Sequence, residues 1–292
     1  MIDVFNIPNS QQDIKIFYSN GLDWQTWQKP RKCQWVWIMC VGGAGGGGGG
    51  NSAVTTNGST AGGAGAVTRA LFNANHIPDT LYVQVGVGGT GGVSSGNGSA
   101  GSKSFISIQP NTTSSNGVLG SGAGGGSGGR VDGNSTGGES VFLVTTGNFA
   151  SLSTFFSTAG PQSNTAGVSP GIITPLSSQI TCPGQQGAAY NTTTPVAING
   201  GSINSTNLSP LIPGGTGTIA ASTNGGNGGN GITSWKPFFS TGGAGGGNSQ
   251  SGVGGNGGKG GIGSGGGAGG ASGVTGGTGG NGGDGIVMII AF

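Results

Sequence analysis

The sequence predicts an all-β protein in which antiparallel strands are joined to a bundle of polyglycine-II helices, with essentially no α-helix. Three observations lead to this fold class. Glycine provides 74 of the 292 residues, the longest glycine tract repeats with a period of three, and the apolar residues fall into short runs that alternate like β-strands. No stretch of useful length has the apolar spacing of an amphipathic helix.

Seven apolar runs are predicted to be strands. They cover residues 14–18, 34–41, 66–72, 81–87, 104–108, 139–145 and 286–292. In the second run Trp35, Trp37 and Met39 share one face and the residues between them share the other, because side chains alternate along a strand. Both faces are apolar, so we expect this strand to be covered on both sides. Residues 24–32 are predicted to be a turn region.

The glycine tract at residues 254–284 reads in triplets as GGN, GGK, GGI, GSG, GGA, GGA, SGV, then an extra Thr275, then GGT, GGN and GGD. A three-residue period is that of a polyproline-II-type helix, which rises about 3.1 Å per residue and has no internal hydrogen bonds. Collagen shares the period but needs abundant proline, and this tract has none. We therefore expect several such helices to pack side by side and to bond through their backbones, with a turn at residues 263–265. Further tracts lie at residues 42–50, 61–65, 120–129, 225–231 and 242–247.

Residues 147–240 differ from the rest, because they hold most of the prolines and little strand alternation. They are predicted to be a loop-rich insertion that lies on the scaffold. Exposed aromatic side chains in loops bind sugars or protein surfaces. The candidate receptor-contact residues are therefore Trp235, Phe238, Phe239, Tyr190, Phe155 and Phe156. The alternative is that these rings fill gaps beneath loops or at a subunit interface.

Composition excludes several classes of protein. The net charge is +2 and only 5% of residues are charged, so nucleic acid is not an expected partner. Disordered chains usually combine high net charge with few aromatic residues, whereas this chain has 5 Trp and 11 Phe. No run of 18 apolar residues is present to span a bilayer, and the N-terminus does not resemble a signal peptide. We expect synthesis in a cytoplasm without export by the ordinary route.

No motif predicts an enzyme, a cofactor or a metal site. GxGxxG occurs often, but none opens a helix in a βαβ unit. His76 is the single histidine and is predicted to be a polar turn residue. Three cysteines give neither a disulfide framework nor metal-ligand spacing. Asp132 and Glu139 are the least implausible acid pair for glycan cleavage, and Asp284 is expected to cap the last glycine turn.

Three stretches together resemble the glycine-rich module of bacteriophage tail proteins. The first is WQKPRKCQWVWIMCVGGAGGGG at residues 27–48, the second is IPDTLYVQVGVGGTGG at 77–92, and the third is GGNGGDGIVMII at 279–290. The period-three tracts are also similar to the distal adhesins of T-even-type tail fibres, in which a polyglycine-II bundle presents variable loops to bacterial surface receptors. The resemblance covers residues 24–292, except that the 147–240 insertion matches nothing in it.

The resemblance implies a virion protein, synthesised in the host cytoplasm, that acts as a tail-fibre or tail-tip adhesin and binds the host surface non-covalently. Residues 1–23 would attach the domain at 24–292 to other virion proteins. The implied partners are host surface polysaccharide or an outer-membrane protein, and a homo-oligomer, with a trimer favoured. A head fibre, capsid decoration or collar protein with a purely structural role is the alternative. Ice binding by a flat bundle face is a third hypothesis, although the outward residues are mixed.

Overall fold

The computed structural model describes residues 13–52, 58–111, 118–123, 153–158, 172–173, 180–190, 195–204 and 209–292. Thirteen strands lie in these residues: β1 Asp13–Tyr18, β2 Gln25–Gln28, β3 Trp35–Val41, β4 Val67–Asn73, β5 Thr80–Gln84, β6 Ser104–Ser107, β7 Val118–Ala123, β8 Ser153–Thr158, β9 Ile172–Ile173, β10 Ser202–Ile203, β11 Thr233–Trp235, β12 Phe238–Ser240 and β13 Ile286–Ala291. Across the described residues helix is confined to the 3-10 turn Ala74–His76, so the all-β prediction is confirmed. The predicted strand at 139–145 lies outside the described residues.

The main sheet has five strands in the order β1-β13-β3-β4-β8, and each neighbouring pair is antiparallel. The last strand of the chain, β13, therefore lies between two early ones. Alternation along β3 divides its side chains between two hydrophobic clusters: Val36, Ile38 and Cys40 belong to one, and Met39 and Val41 to the other. The prediction that this strand is covered on both faces is confirmed except at Trp35, which is 40% exposed.

A second sheet packs on the first through Val36 and its neighbours. Its strand order is β2-β5-β6-β7, and Trp27, Leu81 and Ile106 from three of its strands join the same buried cluster. Strand β2 lies inside the region predicted to be a turn, so that prediction is wrong for Gln25–Gln28. The reason is the burial of Trp27, whose side chain is 2% exposed and anchors an otherwise polar strand.

Lys29 fixes the connection between β4 and β5. Its Nζ donates to the carbonyl oxygens of Ala74 and Ile77, each at 2.9 Å, and forms an ion pair with Asp79 at 2.9 Å. The ammonium group thus has all three of its protons directed at oxygen acceptors. His76 lies exposed in this turn, in the position that the sequence predicted for it.

The glycine-rich segment at residues 42–51 continues from β3, and its backbone N–H groups donate to three neighbouring segments in turn. Successive backbone N–H groups donate to three different segments: Gly43 and Gly46 to Ser102 and Ser99, Ala44 and Gly47 to Gly283 and Gly280, and Gly45 and Gly48 to Gly63 and Thr60. Every third N–H therefore points to the same neighbour, and none of these bonds lies within the segment. This period and direction of bonding support the predicted polyglycine-II bundle.

Residues 263–272, which we call the central segment, bond to six surrounding segments. These are 42–51, 62–65, 182–188, 243–249, 255–261 and 277–284. Every residue of the central segment is buried. Some neighbours run parallel to it and others antiparallel, since Gly266 and Gly269 donate to Gly45 and Gly48, whereas Gly267 and Gly270 donate to Gly258 and Gly255. The arrangement is a close-packed lattice of extended segments rather than a sheet.

The close approach of the backbones explains the glycine content. A Cβ atom built on Gly267 would clash with the carbonyl oxygen of Ala244, and one on Gly47 would clash with that of Gly267. A hydrogen-bonded approach of this kind leaves no room for a side chain. Alanine occurs where space remains, as at Ala268, which is 0% exposed.

The turn predicted at 263–265 is present one residue earlier. Gly263 has φ +63°, in the left-handed region that glycine adopts at low cost, and Ser264 N–H donates to the carbonyl of Gly261. The described parts of 147–240 are more regular than a set of loops. Residues 182–190 and 224–231 lie in the lattice, and β11 and β12 form a hairpin.

Candidate functional site

The glycine bundle has two ends of different character. At the strand end, β3, β4 and β13 lead into or out of glycine segments, and Val41 pairs with both Ile286 and Val67. At the opposite, distal end the segments are joined by short turns. We call the turns at residues 93–96, 219–223, 250–253 and 273–275 the distal turns.

The distal turns expose aliphatic side chains. Val93 is 71% exposed, Val274 59%, Ile219 50% and Val253 42%. Val196, 56% exposed, lies beside them, because its carbonyl oxygen accepts from the amide of Asn248 at 2.8 Å. The four distal turns contain no Asp, Glu, Lys or Arg. This end therefore offers an uncharged surface with apolar groups held outward.

Serine side chains hold the distal turns in place. Ser272 Oγ donates to Gly252 O at 2.6 Å, and Ser249 Oγ donates to Thr223 O at 2.6 Å. Both serines are fully buried. Backbone N–H groups of 252 and 274 in turn donate to these hydroxyls, each at 2.9 Å. The exposed aliphatic groups thus stand on fixed turns rather than on free loops.

Three of the predicted contact residues, Trp235, Phe238 and Phe239, lie at the strand end in the β11–β12 hairpin. The Trp235 ring meets the ring of Tyr18 edge-on, with centroids 6.5 Å apart, and lies 5.4 Å from the Phe238 ring. Trp235 and Phe238 are partly buried against the cluster of the main sheet that contains Met39 and Val41. Tyr18 is 54% exposed. Tyr18, Trp235 and Phe238 together form what we call the aromatic patch.

Phe239 and the predicted contact residues outside the hairpin have other surroundings. Phe239 and Tyr190 are each 4% exposed, so they have little surface to offer a receptor and match the alternative in which rings fill gaps. The Tyr190 ring lies close to Gly273 at the distal end, within 3.2 Å of the position a Cβ would take there. Phe155 and Phe156 lie in β8, where their backbones pair with Ala70 and Arg69.

Asparagine side chains complete the hydrogen bonding at one edge of the lattice. The Oδ1 atoms of Asn224, Asn227 and Asn230 accept from the backbone N–H groups of residues 253, 256 and 259, each at 2.9 Å. Thr233 continues the row, since its Oγ1 accepts from Ile262 N–H at 3.0 Å. A segment at the edge has no outer neighbour on that side, and these side chains provide the missing acceptors.

The same device recurs on the adjacent segments. Asn256 Oδ1 accepts from Thr278 N–H at 2.9 Å, Asn281 Oδ1 from Gly91 N–H at 2.9 Å, and Asp284 Oδ1 from Gly88 N–H at 2.7 Å. The expectation that Asp284 caps a glycine turn is thus refined, because it caps a neighbouring segment. We call the outward side of residues 88–92, 224–233, 254–262 and 276–284 the amide face. The sequence signal for it was present at residues 224–230, where Asn recurs at every third position.

Ionisable groups in the described residues are few. Burial raises the pKa of the Cys40 thiol strongly and that of Cys182 to about 11, and all three cysteines are free. Asp132 and Glu139 lie outside the described residues. Across the described parts of the chain, no three metal-ligating side chains form a group, and no helix there has the length and hydrophobicity of a membrane span.

Comparison with known proteins identifies a family for this chain. A family model described as a glycine-rich domain matches residues 20–292, which includes every described strand except β1. No curated protein matches the sequence. The match spans the other strands of both sheets and the described glycine lattice, so these strands and the glycine segments belong to one family domain.

Proposed function

Since this chain belongs to the glycine-rich domain family, we propose that it is a bacteriophage tail-fibre or tail-tip adhesin that binds the host surface non-covalently. The observation that supports this most is the distal end, where Val93, Ile219, Val253 and Val274 stand exposed on fixed turns. Exposure of aliphatic groups to water costs free energy, which contact with a partner recovers. The lattice keeps these groups in place before contact, so little conformational freedom is lost on binding.

In this proposal the strand end attaches to other virion proteins through residues 1–23 and the distal end meets the host. The attachment end also has exposed apolar side chains, among them Trp35 at 40% and Leu22 at 39%. The trimer implied by the resemblance would form at this end, while the distal turns remain free. The aromatic patch is the second candidate contact region for the receptor.

Adsorption of phage to host cells tests the proposal directly. We expect the double variant V93D/V274D to lose adsorption, because two carboxylates would have to be desolvated at the contact. Both positions are exposed, so the fold should persist, and thermal unfolding equal to that of the wild type checks this. The matched control is N75D, which adds a carboxylate at an exposed residue of the 3-10 turn, away from the distal turns. Unchanged adsorption of V93D/V274D would contradict the distal contact.

Immunogold electron microscopy of the source particles, with antibody raised against residues 147–240, tests the location. Label at the tail tip supports the adhesin. Label spread over the head contradicts it and favours a head fibre or decoration protein, with the aromatic patch as an assembly contact.

A further inference from the structure

The amide face presents a second regular surface, separate from the distal turns. Its outward side chains form rows across the segments, for example Asn227, Asn256 and Thr278, which are linked to one another by side-chain caps. Along each segment the outward positions repeat every three residues, about 9 Å at the rise of an extended three-fold helix. The face is thus a two-dimensional grid of polar groups.

The orientation of the amides in this grid is determined by their hydrogen bonds. A backbone N–H can donate only to the oxygen of an Asn side chain, so each Oδ1 is turned toward the neighbouring segment. The NH₂ groups of Asn224, Asn227 and Asn230 must then point away from it, and all three residues are exposed. Among the described residues nothing accepts a hydrogen bond from these NH₂ groups. The face therefore carries donors that are already fixed and free to bind a ligand.

We propose that the amide face binds an extended neutral polysaccharide. Sugar hydroxyl and ring oxygens are the acceptors that fixed amide donors require, and a polymer repeats them as the face repeats its donors. Each bond is weak, but several made by one chain act together through avidity. The donors are ordered before binding, so their side-chain entropy is not lost again.

Charge and polarity select against other ligands. Lys259 and Asp284 are the charged residues of the face, one of each sign, so it has no field to attract an anionic polymer. A protein partner would need a central apolar anchor, and the centre of the face holds amides and hydroxyls instead. Large aliphatic residues lie at or next to the ends of the four segments, at Val87, Val93, Ile232, Val253 and Ile262.

The surface also rejects a second copy of this chain. An uncapped edge would offer a row of free N–H groups to another glycine segment, much as an edge strand does in a sheet. The Asn and Thr oxygens already occupy those N–H groups. The closed edge leaves the amide NH₂ groups for a ligand of different chemistry.

The chain itself supplies a substitution that separates capping from binding. Thr233 occupies the same row as the three asparagines and caps its neighbour with a hydroxyl. The triple variant N224T/N227T/N230T should therefore keep the caps and the stability while losing three amide donors. The control is N199T. Asn199 is exposed, and its Oδ1 accepts from Gly217 N–H at 2.9 Å. It is separated from residues 254–262 of the amide face by segment 243–249.

The experiment is affinity electrophoresis of the full chain in gels containing dextran, mannan or soluble starch, with alginate as the anionic control. We expect retardation by at least one neutral polymer and not by alginate. The triple threonine variant should bind at least about tenfold more weakly, with unchanged thermal unfolding, whereas N199T should bind as the wild type does. This proposal deepens the adhesin role by naming a ligand class, and V93D/V274D separates the two because it should lose adsorption while keeping polysaccharide binding.

Two electrophoretic results would overturn the inference. The first is unretarded migration of the wild type in all three neutral polymers. The second is equal retardation of the wild type and the triple threonine variant, which would place any sugar binding elsewhere. A third result would also overturn the inference. If a solution of the wild type shows thermal hysteresis and does not bind polysaccharide, the ligand of the amide face is ordered water.

Discussion

Substitution of Gly267 by alanine tests whether the glycine lattice is as closely packed as its hydrogen bonds indicate. The added Cβ would clash with the carbonyl oxygen of Ala244, so the central segment or its neighbour must move. Overpacking of this kind costs about 1–3 kcal/mol. Movement also strains the bonds that join Gly267 to Gly258 at 2.9 Å and to Gly280 at 2.8 Å, and weakening both adds about 1–2 kcal/mol.

One effect opposes this loss. Alanine restricts the unfolded chain more than glycine does, which stabilises the folded state by about 0.4–1 kcal/mol. The expected net destabilisation is therefore about 2–4 kcal/mol. With an unfolding entropy near 2.1 cal/mol/K per residue, a chain of 292 residues loses about 3–7 °C in Tm.

The assay is thermal unfolding followed by circular dichroism, with Gly96→Ala as the matched control. A Cβ on Gly96 meets only Val93, with its nearest atoms at 3.1 and 3.2 Å, so this variant should unfold within about 2 °C of the wild type. If Gly267→Ala unfolds at or above the wild-type temperature, the entropy term outweighs the clash and the close-packed lattice is refuted.

Four further predictions concern individual side chains. Asn256→Ala should lower the free energy of unfolding by about 1–2 kcal/mol in urea titrations, because Thr278 N–H loses its acceptor. Asn256→Thr should keep most of the wild-type free energy, because its hydroxyl can accept from the same N–H. Equal values for both variants would contradict the capping role. Lys29→Met should lower the free energy of unfolding by about 2–3 kcal/mol, because two carbonyl oxygens lose a charged donor. A value within about 0.5 kcal/mol of the wild type, the range of ordinary surface substitutions, would contradict the role of Lys29 in holding the β4–β5 connection. Cys33, which is half-buried, should react with a thiol reagent at pH 8 before buried Cys40 and Cys182, and labelling of all three at one rate would contradict the burial. Burial raises the pKa of Cys182 to about 11 in the folded state, above its value in the unfolded chain. The unfolded chain therefore loses this proton first, and the free energy of unfolding should fall as pH rises from about 9 to 11.

Six strands could be predicted from the sequence, because each is an apolar or alternating run: β1, β3, β4, β5, β6 and β13. The run WVWIMCV has apolar residues on both faces, and beyond Trp35 the structure packs both faces against other apolar side chains. Strand β2 could not be predicted, because its four residues include only one large apolar side chain and lie close to Pro30, Arg31 and Lys32. Burial of Trp27 depends on β5, which is distant in the sequence.

The lattice was predictable only where glycine is dense. Residues 182–190, CPGQQGAAY, lie in it with just two glycines, Gly184 and Gly187. A segment at the boundary of the lattice needs glycine only on the side where another backbone approaches. Its three-residue period is therefore not visible in the sequence as repeated glycine pairs. The exposed apolar surface of the distal turns was missed for a related reason, since the exposure of Val93 or Val274 follows from which turns assemble at one end.

The position of β13 between β1 and β3 determines when the molecule can fold during synthesis. Strand β3 ends at Val41 and β13 begins at Ile286, so 286 − 41 = 245 positions separate two strands that pair directly. At about 5–20 residues per second, the ribosome takes on the order of 10–50 s to make that interval. Throughout it β3 has a solvated edge where its neighbour belongs, and the central segment of the lattice emerges almost as late. Premature termination before Ile286 therefore produces a sheet without the strand that joins β1 to β3, rather than a slightly shorter molecule.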